Sequence, residues 1–383
     1  MKIGIVEVIT HQIFLYTLSF IAKEVGADVT IFTNENLYNL VSPLFKNKIK
    51  NYRWIIKRED QSMTSFLKQV EKIANKEIDL LFVNTLGGNL CFQSIFFKPK
   101  CKSILVDGCL TEWFENKYKP NTFQPRGFIG YNMRYFSRKV VLRRFNSLVV
   151  HAESLKDYVL ANGYKKDIFV LPFTIYDSST PLKIIGKKLK FIVAGMIEEQ
   201  RRDYDGLLKA FKKIWNHGYK DVNLTILGRP IGEYGEKTIN QCRLLKEQGF
   251  DVQFYNDYIP EEIYKDEVIS ADVIINPIKL EYYLYGGFTA GLVGAIMHAK
   301  PGIYPANYIV PKELLSSSLF YDEINKLEYL IEQNFLNNNR GILEKLSKNA
   351  KENSEKYSIQ QLTITFRDLC RRIFNNEIID IKL

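Results

Sequence analysis

The sequence predicts an α/β protein built from two doubly wound parallel sheets. Three observations predict it. Short apolar runs alternate with amphipathic stretches from Lys2 to Leu171, and the same alternation restarts at Lys190. Alternation of this kind implies parallel sheets with helices on both faces. A turn-rich segment, Pro172-Phe-Thr-Ile-Tyr-Asp-Ser-Ser-Thr-Pro181, followed by Lys187-Lys188, separates the two halves. The 383 residues suffice for two domains of ordinary size.

In the first half, strands are expected at Lys2–Val8, Asp28–Phe32, Leu80–Val83, Ser103–Val106, Ser147–Val150 and Ile168–Leu171. Helices are expected near Gln12–Val25, Met63–Asn75, Asn89–Phe97 and Ser154–Ala161. In the second half, buried strands are expected at Lys190–Ala194, Asn223–Leu227, Val252–Tyr255, Val273–Ile275 and Gly302–Tyr304. Their helices are Asp205–Trp215, Lys237–Glu247, Glu261–Val268 and Thr289–His298. The first domain is expected at 1–175, joined by a C-terminal helix at 358–383, and the second at 186–357. The opening MKIGIVEVITHQIFLYTLSFIAKE reads as a strand and an amphipathic helix rather than a signal peptide, because Glu7, His11 and Gln12 interrupt its apolar run.

Composition narrows the function classes. The chain is 46% apolar, which excludes a disordered protein. Its net charge of +10 favours a polyanionic neighbour: nucleic acid, an anionic membrane or a phosphate-bearing substrate. Five scattered cysteines fit a reducing compartment, and four dispersed histidines make no zinc framework. No apolar run approaches the ~20 residues of a membrane span.

Chemistry concentrates in the second half. Phe191-Ile-Val-Ala-Gly195 is a strand ending in glycine, followed by Arg201, Arg202 and Asp203. Two arginines at a strand end can close over a diphosphate, or can simply be solvated. Asp203-Tyr-Asp205 is a DxD triplet of the type that binds metal, but at a helix start it reads as capping. Gly228-Arg229 ends the next strand. The strand Val273–Ile275 leads through Asn276-Pro277 and Glu281 to Gly286-Gly287-Phe288-Thr289-Ala290, where a small-residue helix opens. A strand, a Gly-rich turn and a helix N-terminus together form an anion site. The alternative is a flexible turn and an N-cap.

The first half offers candidate bases. Glu7 and His11 flank the end of the first strand, and Asp107 and His151 end later ones. Histidine titrates near operating pH, although a lone histidine before a helix is often structural. Lys117–Ala152 contains no Asp or Glu. It carries Arg134, Arg138, Lys139, Arg143 and Arg144 among aromatics, with helical spacing over Tyr131–Phe145. Such a face suits an anionic bilayer or a lipid pyrophosphate in preference to nucleic acid, with a plain solvated helix face as the other alternative.

Together these residues resemble the GT-B fold glycosyltransferases, above all the large "glycosyl transferases group 1" family that assembles bacterial and archaeal surface polysaccharides. The matching features are Gly195, Arg201/Arg202 and Asp205-Gly-Leu-Leu-Lys-Ala-Phe211; Leu227-Gly228; Ala271-Asp272-Val273-Ile-Ile-Asn-Pro277-Ile-Lys-Leu-Glu281; and Ala295-Ile-Met-His-Ala-Lys300-Pro301. The resemblance implies two Rossmann-like domains facing each other across a cleft. It implies a nucleotide-diphosphate sugar as co-substrate, a UDP-sugar by default, with no metal and no further cofactor. Arg201 and Arg202 would stabilise the leaving diphosphate. Gly195, Gly228, Arg229, Gly286, Gly287, Phe288, Thr289 and Ala290 would contact the donor, and Glu281 would orient the sugar. Glu7, His11 or Asp107 would act on the hydroxyl of a glycan or lipid-linked acceptor. Arg134, Arg138, Lys139, Arg143 and Arg144 would meet membrane or acceptor at the cytoplasmic face of the cell membrane, as a peripheral protein. The chain departs from the family at one point. Retaining members carry two glutamates at fixed spacing, and the second falls on Thr289 or Gly294 here. An epimerase or hydrolase of the same fold, and a basic polyanion-binding protein, are the alternative readings.

Overall fold

Leu80-Leu-Phe-Val-Asn84 and Val222-Asn-Leu-Thr-Ile-Leu227 are buried along their whole length. Parallel strands covered by helices on both faces have to be apolar on both faces. The computed structural model describes residues 1–9, 11–84, 86, 90–107, 111–114, 125–181, 183, 185–283, 287–337 and 340–374. Contacts divide the chain into two units, Met1–Thr174 with Ile359–Leu383, and Ile175–Ser358.

The first unit runs β1 (Lys2–Val6), α1 (Gln12–Glu24), β2 (Asp28–Asn34), α2 (Glu35–Phe45), β3 (Arg53–Lys57), α3 (Met63–Glu77), β4 (Leu80–Asn84) and α4 (Cys91–Ser94). It continues with β5 (Lys102–Val106), α5 (Thr111–Phe114), α6 (Pro125–Arg144), β6 (Ser147–Val150), α7 (Glu153–Ala161) and β7 (Ile168–Val170). The second unit runs β8 (Leu189–Ala194), α8 (Tyr204–Asn216), β9 (Val222–Leu227), α9 (Gly232–Glu247), β10 (Val252–Phe254), α10 (Glu261–Ser270) and β11 (Val273–Ile275). Then follow α11 (Leu280–Tyr283), α12 (Ala290–Met297), β12 (Gly302–Pro305), β13 (Ser318–Tyr321), α13 (Leu327–Ile331) and α14 (Arg340–Ser354). The last helix, α15 (Ile359–Ile373), belongs to the first unit, where Phe366 stacks on Phe82 with ring centroids 5.5 Å apart.

The sheet orders are β3-β2-β1-β4-β5-β6-β7 and β10-β9-β8-β11-β12-β13, all pairs parallel. Each order reverses once, between β1 and β4 and between β8 and β11. In doubly wound sheets this reversal opens a crevice at the carboxyl ends of the two strands, and ligands bind there.

Two strands, β3 and β13, were not expected. Both lie at sheet edges, where a strand has one neighbour and a half-exposed face, so neither reads as a buried run. Helix α8 shows why the second unit holds together. Tyr204, Leu207, Leu208, Phe211, Ile214 and Trp215 recur at helical spacing and are all buried against the sheet. Each large apolar side chain so buried contributes about 1.5–3 kcal/mol. Trp215 stacks on Phe250 and donates its Nε1–H to the Val222 carbonyl at 3.0 Å.

His298, the residue after α12, is buried with Nδ1 3.0 Å from Thr180 Oγ1. Burial pushes its imidazole down from 6.5 to about 4. The unfolded chain therefore takes up a proton below 6.5 that the folded chain refuses until about 4. Stability is full above 6.5 and falls as the pH drops through that window, by about 3 kcal/mol in all. Urea midpoints are expected to fall between neutral and mildly acidic pH, and His298→Gln is expected to flatten the decline. An equal decline in the variant would assign the effect to other groups.

Candidate functional site

In the second unit the reversal lies between β8 and β11, and the chain leaving β8 carries Arg202 back to it. Arg202 makes an antiparallel bridge with Ile278, the Asp203 N–H donates to the Pro277 carbonyl at 2.7 Å, and the Lys279 N–H donates to the Arg201 carbonyl at 2.9 Å. These bonds sew the segment after β8 to the segment after β11. Arg202 is 3% exposed. Its Nη1 donates to the Met196 carbonyl at 3.1 Å, and its Nε has no hydrogen-bond partner among the described residues. No ion pair to Arg202 occurs among the described residues. Three tyrosines, Tyr204, Tyr264 and Tyr308, feel the Arg202 charge. Burial raises the pKa of all three hydroxyls, and the Arg202 charge pulls each partly back.

Gly195 and Gly228 create this arrangement. Gly195 has φ +114°, and a Cβ there would lie 2.3 Å from Arg202 Nη2. A Cβ on Gly228 would lie 2.0 Å from the Gly195 carbonyl oxygen. Both glycines therefore shape the berth of Arg202.

The two arginines are not equivalent. Arg201 is half-buried, with Nε 2.7 Å from Glu198 Oε2, so its charge already has a counterpart. The Asp203 carboxylate caps α8 by accepting the Gly206 N–H at 2.8 Å, and Asp205 accepts from Gln241 Nε2 at 3.2 Å. Arg229 is exposed, and its carbonyl accepts the Ile197 N–H at 2.9 Å. Glu281 is exposed on the single turn α11.

Gly286 lies outside the described residues. The Gly287 carbonyl accepts from the Tyr308 hydroxyl, Phe288 is half-buried, and Ala290 begins the helix, whose first N–H groups have no partner within it. Thr289 caps the helix. Its hydroxyl accepts the Leu292 N–H at 3.1 Å and donates to Asn276 Oδ1 at 3.2 Å, so its single proton is committed inside the protein.

In the first unit the reversal collects a second polar group. Glu7 follows β1 and is fully buried. Asn84, the last residue of β4, donates its Nδ2–H to Glu7 Oε2, and the Ile9 N–H donates to Glu7 Oε1 at 2.7 Å. His11, at the N-cap position of α1, has Nδ1 3.4 Å from Glu7 Oε2 and an exposed outer edge. A buried carboxylate thus orients an exposed imidazole, the arrangement by which a general base is held. Asp107 follows β5 and accepts the Trp113 indole N–H at 2.6 Å. His151, after β6, is buried beside Phe173.

The basic segment is corrected in part. Residues 117–124, with Lys117 and Lys119, lie outside the described residues. Arg138 is 4% exposed, and the Arg144 guanidinium donates to the carbonyls of Ser94, Ile95 and Phe97. The end of α4 leaves carbonyls without helical partners, and a guanidinium satisfies several at once. Arg138 and Arg144 therefore do not belong to an exposed basic face. Arg134 and Lys139 are half-buried, with Lys139 Nζ 5.1 Å from the Phe114 ring centroid and 5.2 Å from that of Tyr135. Arg143 is exposed, and so are Met133 and Phe136. No helix among the described residues is long and apolar enough to cross a membrane.

A further cluster lies at the far end of α8, where the ligand atoms of His217, Glu328 and Glu332 fall within 4.8 Å of one another. Lys213 supplies a cation there, with Nζ 2.9 Å from Glu328 Oε2, and the group clamps α8 to α13.

Among solved structures the chain is similar to the pneumococcal O-GlcNAc transferase GtfA in complex with UDP and GlcNAc. The identity is 10%, with 98% of this chain and 99% of that one covered, and the TM-score is 0.69. It is also similar to Anabaena Alr3699/HepE in complex with UDP and glucose, at 12% identity, 97% and 100% coverage and TM-score 0.68. A putative UDP-N-acetylglucosamine 2-epimerase from Listeria monocytogenes follows at 12% identity, 98% and 97% coverage and TM-score 0.61. No protein-family model matches the chain, and no curated protein matches it by sequence. At these identities the likeness concerns the fold. The chain has the GT-B fold, as its sequence predicted.

Sequence reading passed over Asn84, Asn276 and the tyrosines that feel the Arg202 charge. The signal for the asparagines was present: each is a polar residue at the carboxyl end of an otherwise apolar strand, next to the point where the strand order reverses.

Proposed function

We propose that the protein is a glycosyltransferase that moves a sugar from a nucleotide-diphosphate sugar, a UDP-sugar by default, to a hydroxyl of a glycan or lipid-linked acceptor. One observation carries this reading. Arg202 is a buried cation with no carboxylate partner among the described residues, and it follows a strand beside the reversal where doubly wound sheets bind ligands. A buried charge is unfavourable unless paired, and a diphosphate supplies the missing anion. As the bond between the sugar and the diphosphate breaks, negative charge grows on the leaving oxygen, and Arg202 stabilises it. In the first unit His11 takes the proton of the attacking hydroxyl, with Glu7 stabilising the imidazolium that forms. The bound UDP of GtfA and of Alr3699/HepE supports the same class of ligand.

Thermal unfolding with UDP, GDP, ADP and CMP tests this. A nucleotide at 100-fold over its Kd adds about 2.7 kcal/mol and raises Tm visibly. No shift with any of the four would overturn the donor site. His11→Ala is expected to lower transfer about 100-fold while leaving the nucleotide shift intact. Turnover of a UDP-sugar without any acceptor would favour an epimerase instead.

The acceptor is proposed to be presented at a membrane surface in surface-polysaccharide synthesis. Met133, Phe136 and Arg143 are exposed on α6, two apolar groups with a cation at helical spacing. Replacing Phe136 and Arg143 with serine is expected to reduce sedimentation with phosphatidylglycerol vesicles. Unchanged sedimentation would remove the membrane from the proposal.

A further inference from the structure

Asn276 ends the apolar run of β11 and is 1% exposed. Its orientation follows from its neighbours. Thr289 Oγ1 accepts the Leu292 N–H and donates its own proton to Asn276 Oδ1 at 3.2 Å. With the amide oxygen on Thr289, Nδ2 keeps two protons with no hydrogen-bond partner among the described residues. The fold has made room for this side chain. A Cβ on Gly291 would lie 2.1 Å from Asn276 Oδ1, so the second residue of α12 has to be glycine.

The same pattern holds Arg202. Each is a buried donor seated against a glycine, and each has a donor nitrogen without a partner among the described residues. Each follows one of the two strands that flank the reversal. The bridge between Arg202 and Ile278 places Asn276 two residues along the paired segment, on the same side of an extended chain. A buried donor left unmade is costly, so two of them at one strand junction indicate a ligand that accepts from both. We propose that Asn276 Nδ2 donates to an oxygen of the diphosphate beside Arg202. This rests on reading the second unit as a nucleotide-diphosphate site. An amide suits the position because it adds donors without a second positive charge to repel Arg202.

Asn276→Asp tests the idea. It keeps the oxygen that Thr289 needs and replaces the NH2 group with a charged oxygen. Titration calorimetry with UDP, GDP and ADP in turn would compare the variant with the wild type. Binding of the diphosphate that the wild type prefers is expected to weaken about 30-fold or more. A folded Asn276→Asp chain with wild-type affinity would overturn the role of Asn276 and leave that of Arg202 standing. If Asn276→Asp does not unfold cooperatively, Asn276→Ala is read by the same criterion. A wild type that binds none of the three diphosphates would overturn the inference together with the donor site.

Discussion

Replacing Arg202 with methionine is expected to abolish the UDP-dependent rise in Tm and to lower sugar transfer by 100-fold or more. The two effects have one cause. Removing one group that stabilises developing charge costs about 3–4 kcal/mol of activation energy in comparable sites. The ligand-free protein is expected to respond in the opposite direction. Among the described residues buried Arg202 has no carboxylate partner, and its side chain donates to a neutral carbonyl, that of Met196. Methionine fills similar space without a charge to desolvate, so the folded state is expected to gain about 1 kcal/mol or more. In a unit of this size that is about 2–4 °C of Tm. Stability gained together with activity lost marks a residue kept for its ligand. A methionine variant that still shows a wild-type UDP shift would refute the role of Arg202.

Gly228→Ala is expected to be the most destabilising single methyl in the second unit. The added Cβ would sit 2.0 Å from the Gly195 carbonyl oxygen and 2.8 Å from its carbon. Both are backbone atoms, and the Gly195 N–H is bonded to the Leu227 carbonyl at 3.0 Å, so neither strand end can yield alone. A cost of about 3 kcal/mol is expected, or roughly 6–12 °C of Tm. UDP affinity is expected to fall with it, because the displaced strand end carries the berth of Arg202. Gly249→Ala is the comparison. Gly249 has φ +84° with no atom within 4 Å of a built Cβ, so only backbone strain opposes the change, about 1 kcal/mol. Equal losses from the two substitutions would show that the close approach at Gly228 is not the cause.

Much of the fold was legible because its evidence is local. A run such as Val273-Ile-Ile275 is apolar on both faces only when helices cover both. The spacing of Leu207, Leu208, Phe211, Ile214 and Trp215 states which side of α8 is buried. Thr289 announces the start of α12 by its capping chemistry. The edge strands β3 and β13 were not legible, because pairing on one side leaves a weaker pattern.

The site was legible only as a neighbourhood. Sequence placed Arg201 and Arg202 after a strand and could not separate them. The structure gives Arg201 a carboxylate 2.7 Å away and gives Arg202 none among the described residues. Sequence counted Arg138 and Arg144 with an exposed basic face. Burial and three carbonyls near the end of α4 claim them instead.

By itself, then, the sequence determined the alternation of strands and helices, the two-part organisation and the residue types that gather after β8 and β11. Those properties depend on neighbours within a few positions of the chain. Only the tertiary structure decided the strand order, and with it the points where each sheet reverses. It alone decided that Asn276 meets Thr289 and that Asn84 meets Glu7, a contact made across 77 residues of chain. Which donor keeps an unmet bond depends on every group around it in space, and composition and periodicity along the chain carry no record of that.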